Sequence, residues 1–374
     1  MQPPLVVHVI PALGQGGAER LLSDIIAHAA GRAEHRILAL TDTGPFFPYP
    51  GASIGTLGLR RARLPLAAWP RAALALRRLR PDVVHAWLYH GNLFSALVPR
   101  GGAPAIWSIH NTTLPAQGAA LTHAVNRAGA LLSGLMPWRI VYCAEAARDM
   151  HEGLGYARKP GLVLENGVDF GAFAPNPVRR QALRAQWGLA EDEMAFGCAA
   201  RFDPQKDHTG LAQAFARLAV PKARLVLAGA GCVAANLALM AALATAGVAD
   251  RTLLLGPVEA MPDFHAAIDV LVIGSAFGEA LPMVGLEAVA SGLPIAATRL
   301  GAVADLALAP THLAAPGNPA ELAQAMALAA AAAQGARPGP AAKARLFRLR
   351  QRYDITAVAS AYHALYAEAA ASRG

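Results

Sequence analysis

The sequence predicts an α/β protein built from two Rossmann-like parallel sheets in tandem. Short continuous apolar runs alternate with helical stretches, a Pro-rich break interrupts them at residues 174–177, and the same pattern then restarts. Strands that are apolar throughout are typical of parallel sheets covered by helices on both faces. We therefore expect a first domain at residues 1–174 and a second at residues 175–354. A C-terminal helix within residues 355–374 is expected to pack toward the first domain.

The predicted strands are short, and glycine turns or polar loops follow several of them. In the first domain they lie at residues 5–10, 36–40, 82–86, 105–109, 140–143 and 161–164. In the second domain they lie at residues 195–199, 224–228, 252–255, 270–273 and 294–297. The first helix is expected at residues 18–30. Open parallel sheets bind ligands at the carboxyl ends of their strands, and two facing sheets predict a deep cleft between the domains.

The composition excludes several classes of protein. Of the 374 residues, 55% are hydrophobic and 16% are charged, so the chain can bury large cores and is not a disordered protein. Three isolated cysteines, Cys143, Cys198 and Cys232, argue against a disulfide framework and against a thiolate zinc site. The N-terminal residues show no basic segment followed by a long apolar run, so no secretory signal is predicted. A reducing, cytoplasmic location is expected.

One uncharged stretch, residues 225–249, is long enough for a membrane span. Several glycines, Asn236 and Thr245 interrupt this stretch, and much of the remainder is alanine. A buried strand, a glycine turn and an Ala/Leu-rich helix explain the stretch better than a membrane span does.

The excess positive charge is confined to the first half of the chain. Basic residues number 33 against 25 acidic ones, a net charge of +8, and the first 180 residues contain 18 basic and 10 acidic residues. The excess concentrates in residues 60–80, which include Trp69 and several leucines but no acid. The basic residues of this segment are Arg60, Arg61, Arg63, Arg71, Arg77, Arg78 and Arg80.

A basic segment interleaved with apolar side chains suits an anionic membrane surface. The alternative is a solvated helix face that covers one side of the first sheet. Nucleic acid is not an expected partner, because no helix-turn-helix, zinc-finger or RNP signature accompanies the charge. We therefore expect a cytoplasmic protein for which the inner face of the plasma membrane is a candidate docking surface.

Two glutamates, Glu279 and Glu287, flank a predicted helix start after a strand. Pro282 fits the first turn of a helix, so Glu279 would lie in the loop and Glu287 about a turn and a half into the helix. The helix N-terminus at Met283 and Val284 offers backbone N–H groups and a positive dipole end to a phosphate. Flanking carboxylates suit sugar hydroxyls, because a carboxylate accepts from two donors. The alternative is one surface glutamate and one on a helix face.

Two further candidate pieces follow predicted strands. Arg201 and Lys206 follow the strand at 195–199, and two cations at a strand's carboxyl end can neutralise a diphosphate without a metal ion. Gly16 and Gly17 follow the first strand at a helix start, where glycine permits close approach of an anion or a sugar. Solvated loop charges and an ordinary tight turn are the alternatives for these two pieces.

Two other patterns indicate different chemistry more weakly. The G-x-G-x-x-A pattern at residues 229–234 is similar to a dinucleotide fingerprint, but no Tyr-xxx-Lys or hydride-transfer site accompanies it, which disfavours a dehydrogenase. His85, His90 and His110 are candidate metal ligands, but no carboxylate lies among them at ligand spacing. No cofactor and no metal ion are therefore expected.

Three segments, in their order along the chain and at the ends of their strands, resemble the retaining GT-B enzymes of glycosyltransferase family 4. They are the glycine turn at residues 16–17, the loop with Arg201 and Lys206, and the glutamate pair Glu279 and Glu287. The resemblance spans nearly the whole chain, and the glutamate pair followed by SGLP, with the Arg/Lys loop before it, is its specific signal. The motifs that carry it are GGAER, PDVVHAW, IHN at residues 109–111, NGVD at 166–169, RFDPQKDH, the Glu-x7-Glu element, ASGLPI at 290–295 and the final YDITAVASAYHALY.

The resemblance implies a metal-independent hexosyltransferase with a nucleotide-sugar donor, a UDP-sugar being favoured. The acceptor would be a glycan or lipid-linked glycan in cell-surface polysaccharide or lipopolysaccharide synthesis. Arg201 and Lys206 would grip the donor diphosphate. Glu287 would bind the ribose hydroxyls, and Glu279 would orient the transferred sugar.

The resemblance also places His110 and the glycine turn at residues 16–17 at the reacting centre, from the first domain. Three positions depart from the family pattern: Ala280 and Ala200 stand where glycine is usual, and Ala144 stands where serine is common. Each change adds a methyl group or removes a hydroxyl, which affects the tightness of the sugar pocket rather than the reaction class. The alternative functions are a nucleotide-sugar epimerase of the same fold and a non-catalytic sugar-nucleotide-binding relative.

Overall fold

The structure is a computed structural model that describes most of the chain. The described residues are 2–42, 44–59, 68–113, 120–158, 161–306, 312–335 and 340–373. The chain divides into two compact units, the first comprising residues 1–167 and 355–374 and the second comprising residues 168–354. The boundary between the units therefore lies between residues 167 and 168. The sequence analysis placed the boundary slightly later, at the Pro-rich break of residues 174–177.

Each unit contains one parallel sheet. The strands of the first sheet are β1 (Leu5–Ile10), β2 (Glu34–Ala39), β3 (Ser53–Thr56), β4 (Val83–Trp87), β5 (Ala105–Ile109), β6 (Arg139–Tyr142) and β7 (Gly161–Val163). Those of the second are β8 (Met194–Ala199), β9 (Ala223–Ala228), β10 (Thr252–Gly256), β11 (Val270–Ile273), β12 (Ile295–Thr298) and β13 (Leu313–Ala314). The strand orders are β3-β2-β1-β4-β5-β6-β7 and β10-β9-β8-β11-β12-β13. The predicted α/β class with two parallel sheets is confirmed.

Helices connect the strands in both units. In chain order they are α1 (Gly17–Ala27), α2 (Ala68–Leu79), α3 (Leu88–Leu97), α4 (Ala120–Leu132), α5 (Glu145–Gly153), α6 (Pro177–Gln186), α7 (His208–Ala216), α8 (Leu237–Thr245), α9 (Met261–Ala267), α10 (Met283–Ala290), α11 (Val303–Leu306), α12 (Pro319–Gln334), α13 (Pro340–Tyr353) and α14 (Ile355–Ala371). The first helix ends before the predicted residue 30, because Ala30 and Gly31 have φ angles of 47° and 75°, outside the right-handed helical region.

The central strands are apolar and buried, as expected for a sheet covered on both faces. Every residue of β4 and β5 is buried. The last helix, α14, belongs to the first unit, where Ile355, Tyr362 and Tyr366 share a core with Val6 and Trp87. The chain therefore returns to the first unit after it completes the second.

The uncharged stretch at residues 225–249 forms most of β9, a turn with two glycines, and α8. This is the strand, turn and helix that the sequence predicted in place of a membrane span. Among the described residues, no helix combines the length and the apolar character needed to cross a membrane.

The structure describes only part of the basic segment at residues 60–80. Three of its arginines lie outside the described residues: Arg60, Arg61 and Arg63. From residue 68 the segment forms α2, in which Leu76 is fully buried while Arg77 and Arg78 are exposed. The described part is therefore a helix with one buried side and a basic exposed side.

Candidate functional site

The loop between β8 and α7, called the cation loop below, holds Arg201 and Lys206 at the carboxyl end of β8, in the second unit. Asp203 accepts a 2.9 Å hydrogen bond from a backbone N–H and caps the short 3-10 turn at residues 204–206. Asp207 adopts a left-handed conformation with φ of 44°, and it caps α7 through another 2.9 Å hydrogen bond. The two aspartates therefore fix the backbone that presents both cations.

The glycines of the fingerprint-like pattern at residues 229–234 support this loop. Gly229 has a φ of 134°, and a Cβ atom at this position would lie 2.3 Å from the Ala200 carbonyl oxygen. A Cβ atom on Gly231 would lie 2.9 Å from the Cβ atom of Phe202. Both glycines allow the turn after β9 to pack closely against the cation loop. This packing accounts for glycine at both positions without a bound dinucleotide.

Lys206 forms an ion pair with Glu279. Glu279 lies in the loop between β11 and α10, called the glutamate loop below. Ser275 donates a 2.6 Å hydrogen bond to the same carboxylate oxygen, Glu279 Oε1. The Ala276 backbone N–H donates to the Gln205 carbonyl oxygen at 2.8 Å, so the two loops are joined directly. The fold thus brings together two predicted site residues that lie 73 positions apart in sequence. Sequence reasoning missed Ser275, whose contact depends on this juxtaposition.

Gly301 closes over the backbone of the glutamate loop. Its φ is 52°, and a Cβ atom there would lie 2.3 Å from the Glu279 carbonyl oxygen and 2.4 Å from that of Ala280. The neighbouring Ala302 N–H donates to the Ala280 carbonyl oxygen at 2.7 Å. Only glycine fits this approach without displacing the loop, and sequence reasoning missed this residue. Ala280, which replaces the family's usual glycine, is buried and its methyl group is accommodated.

The helix that follows the glutamate loop, α10, begins at Met283. Pro282 is the residue before its first turn rather than a residue within it, with φ of −69° and ψ of 127°. Met283 and Val284 are the first helical residues, where backbone N–H groups have no acceptor within the helix. A helix N-terminus therefore lies where the sequence predicted one.

Glu287 lies in α10 and is buried. Its Oε2 atom is 3.2 Å from Nε2 of His265, a buried residue of α9. Phe173 packs edge-on against the His265 ring, with centroids 5.6 Å apart. Within the described residues, no hydrogen-bond partner reaches His265 Nδ1. Sequence reasoning missed His265, because its local pattern does not distinguish it from an ordinary core histidine.

In the first unit, His110 directly follows β5, and its ring stacks on Trp87 with centroids 5.3 Å apart and planes 13° apart. Burial lowers the pKa of His110 to about 4, and the nearby Asn166 side chain partly opposes this effect. The ring is therefore neutral at pH 7. A neutral imidazole can donate a hydrogen bond at one nitrogen and accept one at the other.

Gly16 and Gly17 form the start of α1, directly after β1. Gly16 is the N-cap residue in an extended conformation, and Gly17 is the first helical residue. A Cβ atom on Gly16 would lie 2.3 Å from Glu19 Oε2, because Glu19 folds back over the helix start as in a capping box. Glycine at position 16 leaves room for that carboxylate.

Of the three candidate metal-ligand histidines, His85 is hydrogen-bonded at both ring nitrogens. His85 Nδ1 lies 2.8 Å from the Tyr366 hydroxyl, and His85 Nε2 lies 2.6 Å from Ser108 Oγ. In the part of the chain that the structure describes, no group of three His, Cys, Asp or Glu side chains is arranged to hold a metal ion. The three cysteines form no disulfide bond, and all three are buried.

Protein-family models match both halves of the chain. Residues 15–171 match the model described as Glycosyltransferase Family 4, and residues 193–331 match the model described as Glycosyl transferases group 1. The two matches together cover most of the chain, and they include every candidate site residue.

Curated relatives align over a smaller part of the chain. The GDP-mannose-dependent alpha-(1-6)-phosphatidylinositol monomannoside mannosyltransferase of Mycolicibacterium smegmatis is 33% identical over 162 residues, which cover 40% of this chain and 42% of the relative. The lipopolysaccharide core biosynthesis mannosyltransferase LpsB of Rhizobium meliloti is 30% identical over 156 residues, which cover 40% of this chain and 44% of that protein. The chain thus spans less than half the length of these relatives.

Solved structures are similar over nearly the whole chain. The crystal structure of Anabaena HepE in complex with UDP and glucose superimposes with a TM-score of 0.81 at 19% sequence identity. The superposition covers 98% of this chain and 100% of HepE. At this level of identity the similarity shows a common fold.

Proposed function

Because the chain belongs to glycosyltransferase family 4 and has the GT-B fold, we propose that it is a retaining hexosyltransferase with a nucleotide-sugar donor. A UDP-sugar is the favoured donor, since HepE, which shares the fold, holds UDP in its crystal structure. The relative from Mycolicibacterium smegmatis is named as GDP-mannose-dependent. A test of the donor therefore includes both nucleotides.

The observation that carries this proposal is the contact between the cation loop and the glutamate loop. Lys206 pairs with Glu279, and Arg201, with a side chain 46% exposed, lies on the same loop as Lys206. The N-terminus of α10 follows Glu279 by a few residues. A diphosphate at this position would meet two cations and helix N–H groups, and the sugar attached to it would meet the Glu279 carboxylate.

We assign the nucleoside end of the donor to Glu287. This carboxylate is buried, and its Oε2 atom accepts from His265. A carboxylate accepts several hydrogen bonds, so Glu287 retains capacity for the two ribose hydroxyls. Met283 and Val284, at the start of the same helix, would contribute backbone N–H groups to the donor phosphates.

The proposed chemistry uses charge stabilisation rather than a metal ion. When the anomeric bond breaks, negative charge develops on the departing diphosphate and positive charge develops on the sugar. Fixed cations aimed at the diphosphate stabilise this transition state more than the ground state. For retention, the acceptor hydroxyl attacks from the face that the diphosphate leaves, and a departing phosphate oxygen takes the hydroxyl proton. The proposal assigns no residue of this chain as a covalent nucleophile.

We assign the acceptor to the first unit, with His110 and the turn at residues 16–17 at the reacting centre. His110 would contact the sugar as a neutral hydrogen-bonding group, because burial holds its pKa at about 4. The proposed acceptor is a glycan or lipid-linked glycan of cell-surface polysaccharide or lipopolysaccharide synthesis. The name of the LpsB relative supports this acceptor class. Such an acceptor fits a cytoplasmic enzyme that docks on the inner face of the plasma membrane.

Donor turnover by the purified full-length chain tests the proposal. A panel of UDP-, GDP- and ADP-sugars is supplied with and without a lipid-linked glycan, and nucleotide release is measured. We expect release from one donor class, and we expect Glu279→Gln to abolish it while the matched change of the exposed Glu259 leaves it intact. Donor binding without turnover would indicate the non-catalytic relative, and an epimeric sugar as product would indicate the epimerase.

A further inference from the structure

A continuous line of hydrogen-bonded rings runs through the first unit, from β4 to α14. The Trp87 indole N–H donates to His8 Nδ1 at 3.2 Å, and His8 Nε2 lies 2.9 Å from His35 Nδ1. His35 Nε2 lies 3.3 Å from His363 Nε2. Finally, His363 Nδ1 lies 2.6 Å from the Ala359 carbonyl oxygen. These four rings, Trp87, His8, His35 and His363, are called the ring chain below.

The two ends of the ring chain determine the direction of every hydrogen bond in it. The Trp87 indole can only donate, so His8 accepts at Nδ1 and carries its proton on Nε2. The Ala359 carbonyl can only accept, so His363 carries its proton on Nδ1 and accepts at Nε2. His35 therefore accepts at Nδ1 and donates at Nε2. Both ends require the same direction, and one set of neutral tautomers satisfies all four hydrogen bonds.

A protonated histidine does not fit into the ring chain. A cationic imidazole donates at both nitrogens, so protonation of any of the three histidines would set two donors against each other. His8, His35 and His363 are all buried. Burial is the main cause that lowers the pKa of each ring, and the pKa of His35 falls to about 4.

The neighbours of the ring chain do not favour a positive charge. His85 on β4 and Tyr366 on α14 lie against the His8 ring. His28 and Arg32, which follow α1, act on His363 and oppose its protonation. Among the described residues, no aspartate or glutamate is one of the groups that act on these three rings, so no carboxylate offsets a proton there.

We propose that the ring chain is a positioning device that is intact only when its three histidines are neutral. It holds the Trp87 indole, on which His110 stacks, and it ties α14 to β1 and β2. The part that concerns His110 rests on the proposed function, since that function places His110 at the reacting centre. His8, His35 and His363 are thus positioning residues that act through Trp87.

Nitrogen NMR of the imidazole rings tests the proposal without any measurement of activity. In the full-length protein at pH 7, we expect neutral His8 and His35 with the proton on Nε2, and neutral His363 with the proton on Nδ1. A His→Gln variant at each position assigns the signals. A proton on Nε2 of His363, or a cationic ring at any of the three positions at pH 7, would overturn the proposal.

The pH dependence of unfolding provides a second test. A histidine kept neutral in the folded state takes up a proton on unfolding once the pH falls below its unfolded pKa of about 6.5, so stability is lost as the pH falls. Each such histidine shifts the unfolding equilibrium by up to about tenfold per pH unit. His35→Gln keeps a donor and an acceptor without a titrating ring, so we expect a shallower dependence. An unchanged slope in that variant would contradict the proposal.

Breaking the ring chain separates this inference from the proposed function. We expect His35→Leu to mix the tautomers of His8 and to lower turnover several-fold, and His35→Gln to restore most of the turnover. UDP affinity should stay unchanged, since the donor is assigned to the second unit. If the wild-type protein transfers no sugar, the proposed function is refuted, but the tautomers measured by NMR still test the ring chain. Full turnover in His35→Leu would remove the positioning role.

Discussion

The ammonium group of Lys206 and the carboxylate of Glu279 form an ion pair between the loops that follow β8 and β11. Ser275 holds the same carboxylate oxygen through a 2.6 Å hydrogen bond. We infer that a donor diphosphate competes with Glu279 for Lys206 and frees the carboxylate to accept from a sugar hydroxyl. Binding of the diphosphate to Lys206 would then be coupled to release of the Glu279 carboxylate for binding the sugar.

Removal of either cation should slow transfer strongly. We expect Lys206→Ala and Arg201→Ala each to lower turnover by roughly two to three orders of magnitude, the loss typical of one preorganised group at a developing charge. Both residues lie on a loop, so circular dichroism should show a retained fold. Arg217→Ala is the matched control, because this second-unit arginine bonds the Gln213 carbonyl oxygen at 2.7 Å, away from both loops. Near-wild-type transfer by either cation variant would contradict the assignment.

Turnover should not depend on a divalent metal ion. Two side-chain cations and the N-terminus of α10 already provide positive charge for the departing diphosphate. We expect EDTA to leave the rate of nucleotide release unchanged and added magnesium or manganese to change it little. Activity lost with EDTA and restored by either metal ion would show that Arg201 and Lys206 are not sufficient.

Much of the fold could be predicted from the sequence, because its strands are continuous apolar runs that need no partner to be identified. The two strands that were missed lack that signal. All four residues of β3 are exposed, and β13 has only two residues. Such edge strands are determined by pairing with β2 and β12 rather than by their own composition.

The candidate site could be predicted only where one segment supplies the signal. Charges after an apolar run, such as Lys206 and Glu279, are visible in the sequence. Ser275, Gly301 and His265 are not, because each matters through a contact with a different segment. Their roles follow from distances that only the folded chain defines.

His265 should support donor binding through Glu287. Replacing it by phenylalanine removes the donor to a buried carboxylate, and losses of about 1–3 kcal/mol are typical of a buried group left without its partner. We expect His265→Phe to weaken UDP binding by roughly tenfold and to lower the free energy of unfolding. His265→Gln, which retains an N–H donor, should lose less of both. Calorimetric titration with UDP measures the effect, and equal affinity in wild type and His265→Phe would argue against it.

Gly301 should be required for the position of the glutamate loop. Its φ is 52°, and a Cβ atom would lie 2.3 Å from the Glu279 carbonyl oxygen. Gly247 has a φ of 68° but open space around it, so Gly247→Ala isolates the cost of backbone strain, about 1–2 kcal/mol. We expect Gly301→Ala to lower stability further and to raise the donor KM. If the two alanine variants had equal stability and equal KM, close packing over Glu279 would have no functional consequence.

The basic surface of the first unit should dock on anionic lipid. The first unit contains 17 basic and 10 acidic residues and so carries +7 of the chain's net charge of +8. On α2, Arg77 and Arg78 are exposed beside Leu74, whose exposed fraction is 48%. Each basic residue near an anionic surface contributes about 1 kcal/mol. Replacing Arg77, Arg78 and Arg80 by glutamate should therefore weaken binding to phosphatidylglycerol vesicles by roughly two orders of magnitude or more.

Salt and a matched charge reversal distinguish membrane docking from a merely solvated helix. The Debye length falls from about 10 Å at 0.1 M salt to about 3 Å at 1 M, so the electrostatic part of vesicle binding should weaken as salt rises. A contribution from Leu74 would persist at high salt, because apolar burial is not screened. Arg217→Glu on the second unit should leave co-sedimentation unchanged, since that unit lacks the charge excess. Membrane docking by this surface would be excluded if wild type and the triple variant both stayed in the supernatant with anionic vesicles at low salt. The arginines would then form only a solvent-exposed face of α2.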